Sequence, residues 1–118
     1  MNDLAEKQVR YLRDALPVRL GNLASNLAHI SSFARGGKNP NAVERLLWES
    51  RYFIEWTAAE TEIETAAELV EMQVQLSWWY HHWQDEQVKP MQLTKITQQT
   101  RAWSDRVLDL SGLLQEAG

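Results

Sequence analysis

The residues from Glu62 to Gln87 read EIETAAELVEMQVQLSWWYHHWQDEQ, and they constrain how the rest of the chain can pack. Their hydrophobic spacing predicts one long α-helix, but the apolar side chains fall on two faces of it. One face carries Ile63, Ala66, Ala67, Val70, Val74 and Ser77, and the other carries Leu69, Met72, Leu76, Trp79 and Trp83. Because an outer helix needs only one apolar stripe, this helix has one face more than packing on one side requires.

The same part of the chain is strongly acidic. From Tyr52 to Val88 there is no lysine or arginine but there are eight acids, whereas residues 1–51 have eight cations against five acids. Nucleic-acid binding normally needs clustered cations that neutralise phosphates, so this distribution argues against a nucleic-acid partner. It favours a basic protein partner instead.

Three further helices are predicted, two before this one and one after it. No segment alternates between apolar and polar residues as a β-strand does. Pro17 predicts a kink or a break in the first helix, because a proline inside a helix removes one backbone hydrogen bond. Gly36, Gly37, Asn39 and Pro40 predict the loop before the second helix, with Asn39 or Asn41 as its N-cap. We therefore expect one all-α domain over residues 1–118, an up-down four-helix bundle with helices at about 3–34, 41–56, 62–87 and 90–114.

The junction between the second and third helices contains no glycine or proline. Thr57 with Glu60, and Thr61 with Glu64, both read as capping boxes, in which a threonine and a glutamate cap the start of a helix. This pattern predicts a tight turn between Thr57 and Thr61. The alternative is one continuous helix of roughly 46 residues, about 70 Å long at 1.5 Å per residue.

The aromatic side chains of the second and third helices predict a contact surface. Trp48, Tyr52 and Trp56 follow one another at every fourth position, beside a separate apolar face. Aromatic residues bury about 150–250 Å² each, so a few of them supply most of a standard interface of ~800 Å² per partner. We expect a homo-oligomer, with a dimer favoured, whose interface contains Trp48, Tyr52, Trp56, Leu69, Met72, Leu76, Trp79 and Trp83. Burial of these residues within a monomer, or an aromatic-lined small-molecule pocket, are the alternatives.

The carboxylates of the third helix are the candidates for chemistry. Glu64, Glu68 and Glu71 lie along one line of the helix and are candidate ligands for a divalent metal. Helical nucleotide pyrophosphatases resemble this in carrying Mg²⁺ ligands on helices, but only half of such a pattern is present, and no Glu-x-x-His pair of a di-iron bundle occurs. A solvated helix face is the simpler interpretation, and the sequence predicts no catalytic residue and no cofactor.

The remaining composition bears on location. The chain has no cysteine, which suits a reducing compartment, and its N-terminus lacks the apolar segment of a secretory signal. The charge-free run from Met72 to Gln84 is only 13 residues long and contains polar residues, so it is too short to cross a bilayer. We expect a cytoplasmic protein without a membrane segment.

Three segments carry a family resemblance: LPVRLGNLASNLAHISSF (residues 16–33), NPNAVERLLWESRYFIEWT (39–57) and AAELVEMQVQLSWW (66–79). They resemble short, all-helical, functionally uncharacterised proteins of cyanobacteria, which implies a bacterial protein but no activity or site residue. The function predicted from the residues is that of a non-enzymatic interaction or scaffold protein. The alternative is a metal-dependent hydrolase that uses Glu64, Glu68 and Glu71.

Overall fold

The computed structural model describes residues 3–37, 39–83 and 90–116 of the chain. These residues form α-helices and one short 3₁₀ turn, and they contain no β-strand, which confirms the predicted all-α class. Among them, no helix is both long and apolar enough to cross a membrane. The helices are α1 (Asp3–Leu12), α2 (Leu16–Gly36), α3 (Pro40–Thr57), α4 (Ile63–His82), α5 (Pro90–Ser111) and α6 (Leu113–Glu116).

The first predicted helix is broken rather than kinked. α1 ends at Leu12 and α2 begins at Leu16, so that Pro17 lies in the first turn of α2. A proline is tolerated there, because the first backbone N–H groups of a helix have no intrahelical acceptor. Pro17 therefore starts a helix instead of interrupting one.

The loop between α2 and α3 follows one of the two predicted capping schemes. Gly37 ends α2 in the left-handed conformation, with φ 64°, and donates its N–H to the carbonyl of Phe33. Asn39 caps α3, since its side chain accepts a hydrogen bond from the N–H of Ala42 at 3.4 Å, and Pro40 is the first helical residue. The alternative cap, Asn41, is already inside the helix.

α3 and α4 are separate helices, as the predicted turn requires. The 3₁₀ turn Ala58–Glu60 lies between them, which excludes the continuous helix. The predicted capping boxes are wrong, however. The Thr61 hydroxyl donates to the carbonyl of Ala58 at 2.7 Å, and Glu62 occupies the N-cap of α4 without a side-chain hydrogen bond. The predicted end of this helix near Gln87 lies outside the described residues.

α2 lies at the centre of the fold and packs along α5 on one side and α3 on the other. Its predicted apolar face is buried, with Leu23, Leu27 and Ile30 fully shielded from solvent. Small polar residues let α5 come close: Ser104 donates to the carbonyl of Ala24, and Ser31 donates to the carbonyl of Thr97, each at 2.8 Å. α5 ends at Ser111, before Gly112 with φ 78°, so the predicted fourth helix is slightly shorter than expected.

α4 is held differently on its two sides. It packs closely along α3, but it reaches α5 through long side chains. The Trp79 and Trp103 rings lie 5.5 Å apart, and Arg106 of α5 donates to both carboxylate oxygens of Glu68, each at 2.9 Å. The remaining face of α4 points away from the rest of the protein.

Candidate interaction surface

The α4 face that the sequence assigns to a partner is part of the core. Leu69 and Leu76 are fully buried, and Met72 and Trp79 are each only 5% exposed. Trp83 is half-buried and packs against the same core cluster. The structure thus corrects the predicted interface for Leu69, Met72, Leu76 and Trp79, because side chains without solvent exposure have no surface to offer a partner.

The opposite apolar face of α4 is exposed to solvent instead. Ile63 is 85% exposed and Val74 is 66% exposed, while Val70 and Trp78 are roughly half exposed. Together with the exposed Ala67 they form one line along the helix, about 22 Å long at 1.5 Å per residue. We call this surface the α4 stripe; it consists of Ile63, Ala67, Val70, Val74 and Trp78.

Side-chain size explains why the two faces exchange roles. Hydrophobic stabilisation grows by roughly 25 cal/mol for each Å² of apolar surface removed from water. Leucine, methionine and tryptophan have more such surface than alanine and valine, so burying Leu69, Met72, Leu76 and Trp79 gains more free energy than burying the stripe. Both faces share the same period, so the period alone does not identify the stripe. The sizes of the side chains on each face are the signal that could have identified it.

The two borders of the α4 stripe differ in charge. On one side lie Glu64, Glu68 and Glu71, and the hydrogen bond from Arg106 to Glu68 lowers the pKa of that carboxyl group. Glu71 and Glu64 are exposed, and neither forms an ion pair with a cation in the part of the chain that the structure describes. On the other side Gln73 donates to the carbonyl of Arg51 and to Glu55 of α3. The stripe is therefore acidic along one border only.

Trp78 is fixed at the C-terminal end of the stripe. Its ring stacks on the His82 ring, with centroids 4.1 Å apart and planes 15° apart. The Nδ1 atom of His82 lies 2.8 Å from the carbonyl oxygen of Trp78, which holds the histidine in place. The indole thus presents a large apolar surface in a defined orientation, with about half of it open to solvent.

The aromatic ridge of α3 is only half-buried. The rings of Trp48, Tyr52 and Trp56 follow one another, with centroid distances of 5.1 and 5.7 Å. Trp56 also lies 5.8 Å from the Tyr11 ring of α1, so α1 covers one end of the ridge. The guanidinium of Arg51 lies 5.5 Å from the Tyr52 ring centroid. The role of Trp48, Tyr52, Trp56 and Trp83 in an interface stays a prediction.

The candidate metal ligands Glu64, Glu68 and Glu71 do not form a metal-binding cluster among the described residues. Both oxygens of Glu68 already accept hydrogen bonds from Arg106, as in a bidentate ion pair. A groove of about 310 Å³ between α4 and α5 contains Glu68, Glu71 and Arg106 together. A guanidinium in that groove disfavours a metal cation, because it already neutralises the nearest carboxylate.

Comparison of the chain with protein-family models, with curated proteins and with solved structures gives no match. The resemblance to uncharacterised helical proteins of cyanobacteria therefore stays a prediction. What can be said about function rests on the geometry of the surface described above.

Proposed function

We propose that this chain is a non-enzymatic interaction protein whose contact surface is the α4 stripe. The exposure of Ile63, Val70, Val74 and Trp78 in one continuous line carries this proposal. Single exposed apolar residues are normal on a protein surface, whereas contiguous apolar rows mark contact sites. The proposal includes an up-down bundle of four helices as the scaffold, and a cytoplasmic, bacterial protein, which the absence of cysteine supports.

The shape of the stripe indicates the kind of contact. A straight apolar row on a helix fits the groove or the seam of another helical element, as in helix-in-groove recognition. Ile63, Val70 and Val74 are β-branched and stiff, so they lose little rotamer freedom when a partner covers them. Trp78 adds the single largest contact area, which tryptophans commonly provide at interfaces.

The alternative of a metal-dependent hydrolase has no comparable support. Its strongest candidate ligand, Glu68, is engaged by Arg106. The carboxylates near it line the acidic border of the stripe, where they serve a contact surface by favouring some partners and repelling others. We therefore propose one function only.

Site-specific photo-cross-linking tests the proposal in the native host. A photoreactive phenylalanine analogue replaces Val74 in one variant and Gln98, an exposed residue of α5, in the other. We expect a protein adduct from position 74 that position 98 does not give. A photoreactive side chain captures only what lies against it, so an adduct specific to position 74 reports a protein on the stripe.

The control adds Val70→Gln to the variant that is photoreactive at position 74. A glutamine in the middle of the stripe opposes burial, because a polar group without a hydrogen-bond partner is costly to bury. We expect the adduct to decrease at least severalfold. If positions 74 and 98 give the same adducts, or position 74 gives none, the proposed function is wrong.

A further inference from the structure

We infer that the α4 stripe is covered by a second copy of this chain, whose α4 runs antiparallel to the first. This inference rests on the proposed function of the stripe as a protein contact surface, and it names the partner. The charge, the side-chain sizes and the length of the stripe each support it.

The acidic residues of α4 are confined to one half of the helix. Glu64, Glu68 and Glu71 all lie in its N-terminal half, while the second half, from Met72 to His82, contains no acid. Parallel pairing would place the acidic halves of the two copies at the same level and would set the two helix dipoles side by side in the same direction. Antiparallel pairing places Glu64 and Glu68 of each copy beside the acid-free half of the other, so that only the two copies of Glu71 come near each other. It also sets the two helix dipoles in opposite directions, which is favourable.

The side-chain sizes along the stripe are complementary under the same arrangement. If the two-fold axis passes between Val70 and Val74, each Val70 lies across from Val74 of the second copy. Trp78 then lies level with Ala66 and against Ala67 of the second copy, where the side chains are small. A large side chain set against small ones is how facing helices interdigitate, and the fixed orientation of the Trp78 indole prepares it for that site.

The length of the surface indicates the strength of the contact. The seam from Ile63 to His81 spans about 27 Å at 1.5 Å per residue, which suits one antiparallel helix pair. A single helix pair of this length covers less than the ~800 Å² per partner of a standard interface. We therefore expect a reversible dimer with a dissociation constant in the micromolar range instead of a permanent one.

The chain contains no cysteine, which makes site-specific cross-linking simple. Ile63→Cys and His81→Cys change two exposed positions at opposite ends of the seam. In an antiparallel dimer these two positions lie across from each other, while the two copies of position 63 lie about 27 Å apart at 1.5 Å per residue. In an equimolar mixture of the variants, a short bismaleimide should therefore join the thiol at position 63 to the thiol at position 81, as identified by mass spectrometry of the linked peptides. It should leave Ile63→Cys alone unlinked.

Two controls separate this contact from random collision. Gln98→Cys places a thiol on exposed α5 and gives the background rate of cross-linking. Val74→Gln, added to both stripe variants, should reduce the product that links positions 63 and 81 to that background. Self-linking of Ile63→Cys above background would show parallel packing. A mixture of the two stripe variants that links no faster than Gln98→Cys would show that the stripes do not touch. Either result overturns the inference.

The mass of the protein in solution and the mass of the photo-adduct together distinguish failure of self-pairing from failure of the proposed function. The chain has a mass of 13.7 kDa, and light scattering at tens of micromolar should approach twice that value for the unmodified protein. The photo-adduct from position 74 should likewise have the mass of two chains. A strict monomer whose position 74 captures a different protein overturns self-pairing but leaves the stripe as a contact surface.

Discussion

At the scale of single residues, the most connected group lies where α1, α2, α3 and the 3₁₀ turn meet. Arg19 is buried, and its guanidinium donates to both carboxylate oxygens of Glu60, at 2.8 and 2.9 Å. The Tyr11 hydroxyl donates to the carbonyl of Arg19 at 2.9 Å and accepts from the Thr57 hydroxyl at 3.0 Å. The Tyr11 ring also stacks on Phe53, 4.1 Å away. Tyr11 thus fastens the C-terminal end of α1 to α2 and α3.

Burial raises the pKa of Tyr11 to about 12, from 10.0. In the folded state the Tyr11 phenol stays neutral to a higher pH than in the unfolded state. The stability that this gives is therefore complete below pH 10.0 and is lost as the pH rises towards 12. A pKa difference of two between the folded and unfolded states corresponds to about 3 kcal/mol of the free energy of unfolding, because each pKa unit is worth 1.36 kcal/mol. We expect denaturant unfolding to show a fall of that order in the free energy of unfolding over this alkaline range.

Two tyrosine variants check the origin of the alkaline fall. Tyr11→Phe should lower the free energy of unfolding at neutral pH, because it removes two hydrogen bonds, and it should weaken the alkaline dependence. Tyr52→Phe, a half-buried tyrosine on the α3 ridge, should keep that dependence. An unchanged alkaline profile for Tyr11→Phe would contradict the prediction.

At the scale of one element, α4 offers a matched pair of substitutions on opposite faces. Leu76 is fully buried and Val74 is 66% exposed, two residues apart on the same helix. Leu76→Ala should cost about 2–5 kcal/mol, as for other large-to-small changes in a core. Val74→Ala should change the free energy of unfolding of the monomer by about 0.5 kcal/mol or less, because it removes little buried surface.

Urea unfolding of both variants at low micromolar concentration measures this difference, with far-ultraviolet circular dichroism as the signal. The low concentration keeps self-association from adding to the apparent stability. If the two variants lose similar stability, the assignment of the two faces is wrong.

The same element shows which parts of the fold can be predicted from the sequence. Pro17, Gly37 and Asn39 act through their own backbone and nearest neighbours, so the break between α1 and α2 and the start of α3 could be predicted locally. The face of α4 that is buried depends on which helices lie beside it, and the hydrophobic period is equal for both. The spacing therefore could not show that Leu69 is buried and Val74 exposed, although the larger size of leucine favours its burial.

The contacts of charged residues were equally inaccessible from spacing. Arg19 and Glu60 are 41 positions apart, and Glu68 and Arg106 are 38 apart, so only the folded chain brings them together. A glutamate row on a helix looks the same whether it faces solvent, a metal or an arginine. The ion pair of Glu68 with Arg106 disfavours a metal at that carboxylate.

At the scale of the whole molecule, the cation-free stretch from Tyr52 to Val88 obtains counter-charges from both flanking parts of the chain. Glu60 is paired with Arg19 of α2, and Glu68 is paired with Arg106 of α5. Lys7 of α1 pairs with Glu49 of α3 at 2.7 Å, which adds a third link between distant elements. The unequal charge distribution of the sequence therefore matches the arrangement of the described helices, in which basic residues of α2 and α5 face acids of the central stretch.

These pairs predict a loss of stability in acid. The hydrogen bonds from Arg19 and Arg106 lower the pKa values of the Glu60 and Glu68 carboxyl groups below their usual 4.5. A carboxyl whose pKa is lower in the folded state stabilises the fold above its unfolded pKa, and this contribution is lost as the pH falls through the folded value. We expect the urea midpoint to be level between pH 5 and neutral pH and to fall between about pH 5 and pH 3, the range in which such carboxylates take up protons.

Two substitutions one turn apart on α4 test whether the Arg106–Glu68 pair causes the loss of stability in acid. Both are made in a protein that carries Val74→Gln, so that it stays monomeric. Glu68→Gln removes the paired carboxylate, so its urea midpoint should be lower at pH 7 and should fall less between pH 5 and pH 3. Glu64→Gln removes an exposed carboxylate without an ion pair among the described residues, so it should keep the acid dependence of its parent. Equal acid profiles for the two variants would mean that the Arg106–Glu68 pair contributes nothing to stability in solution, as many exposed ion pairs do not.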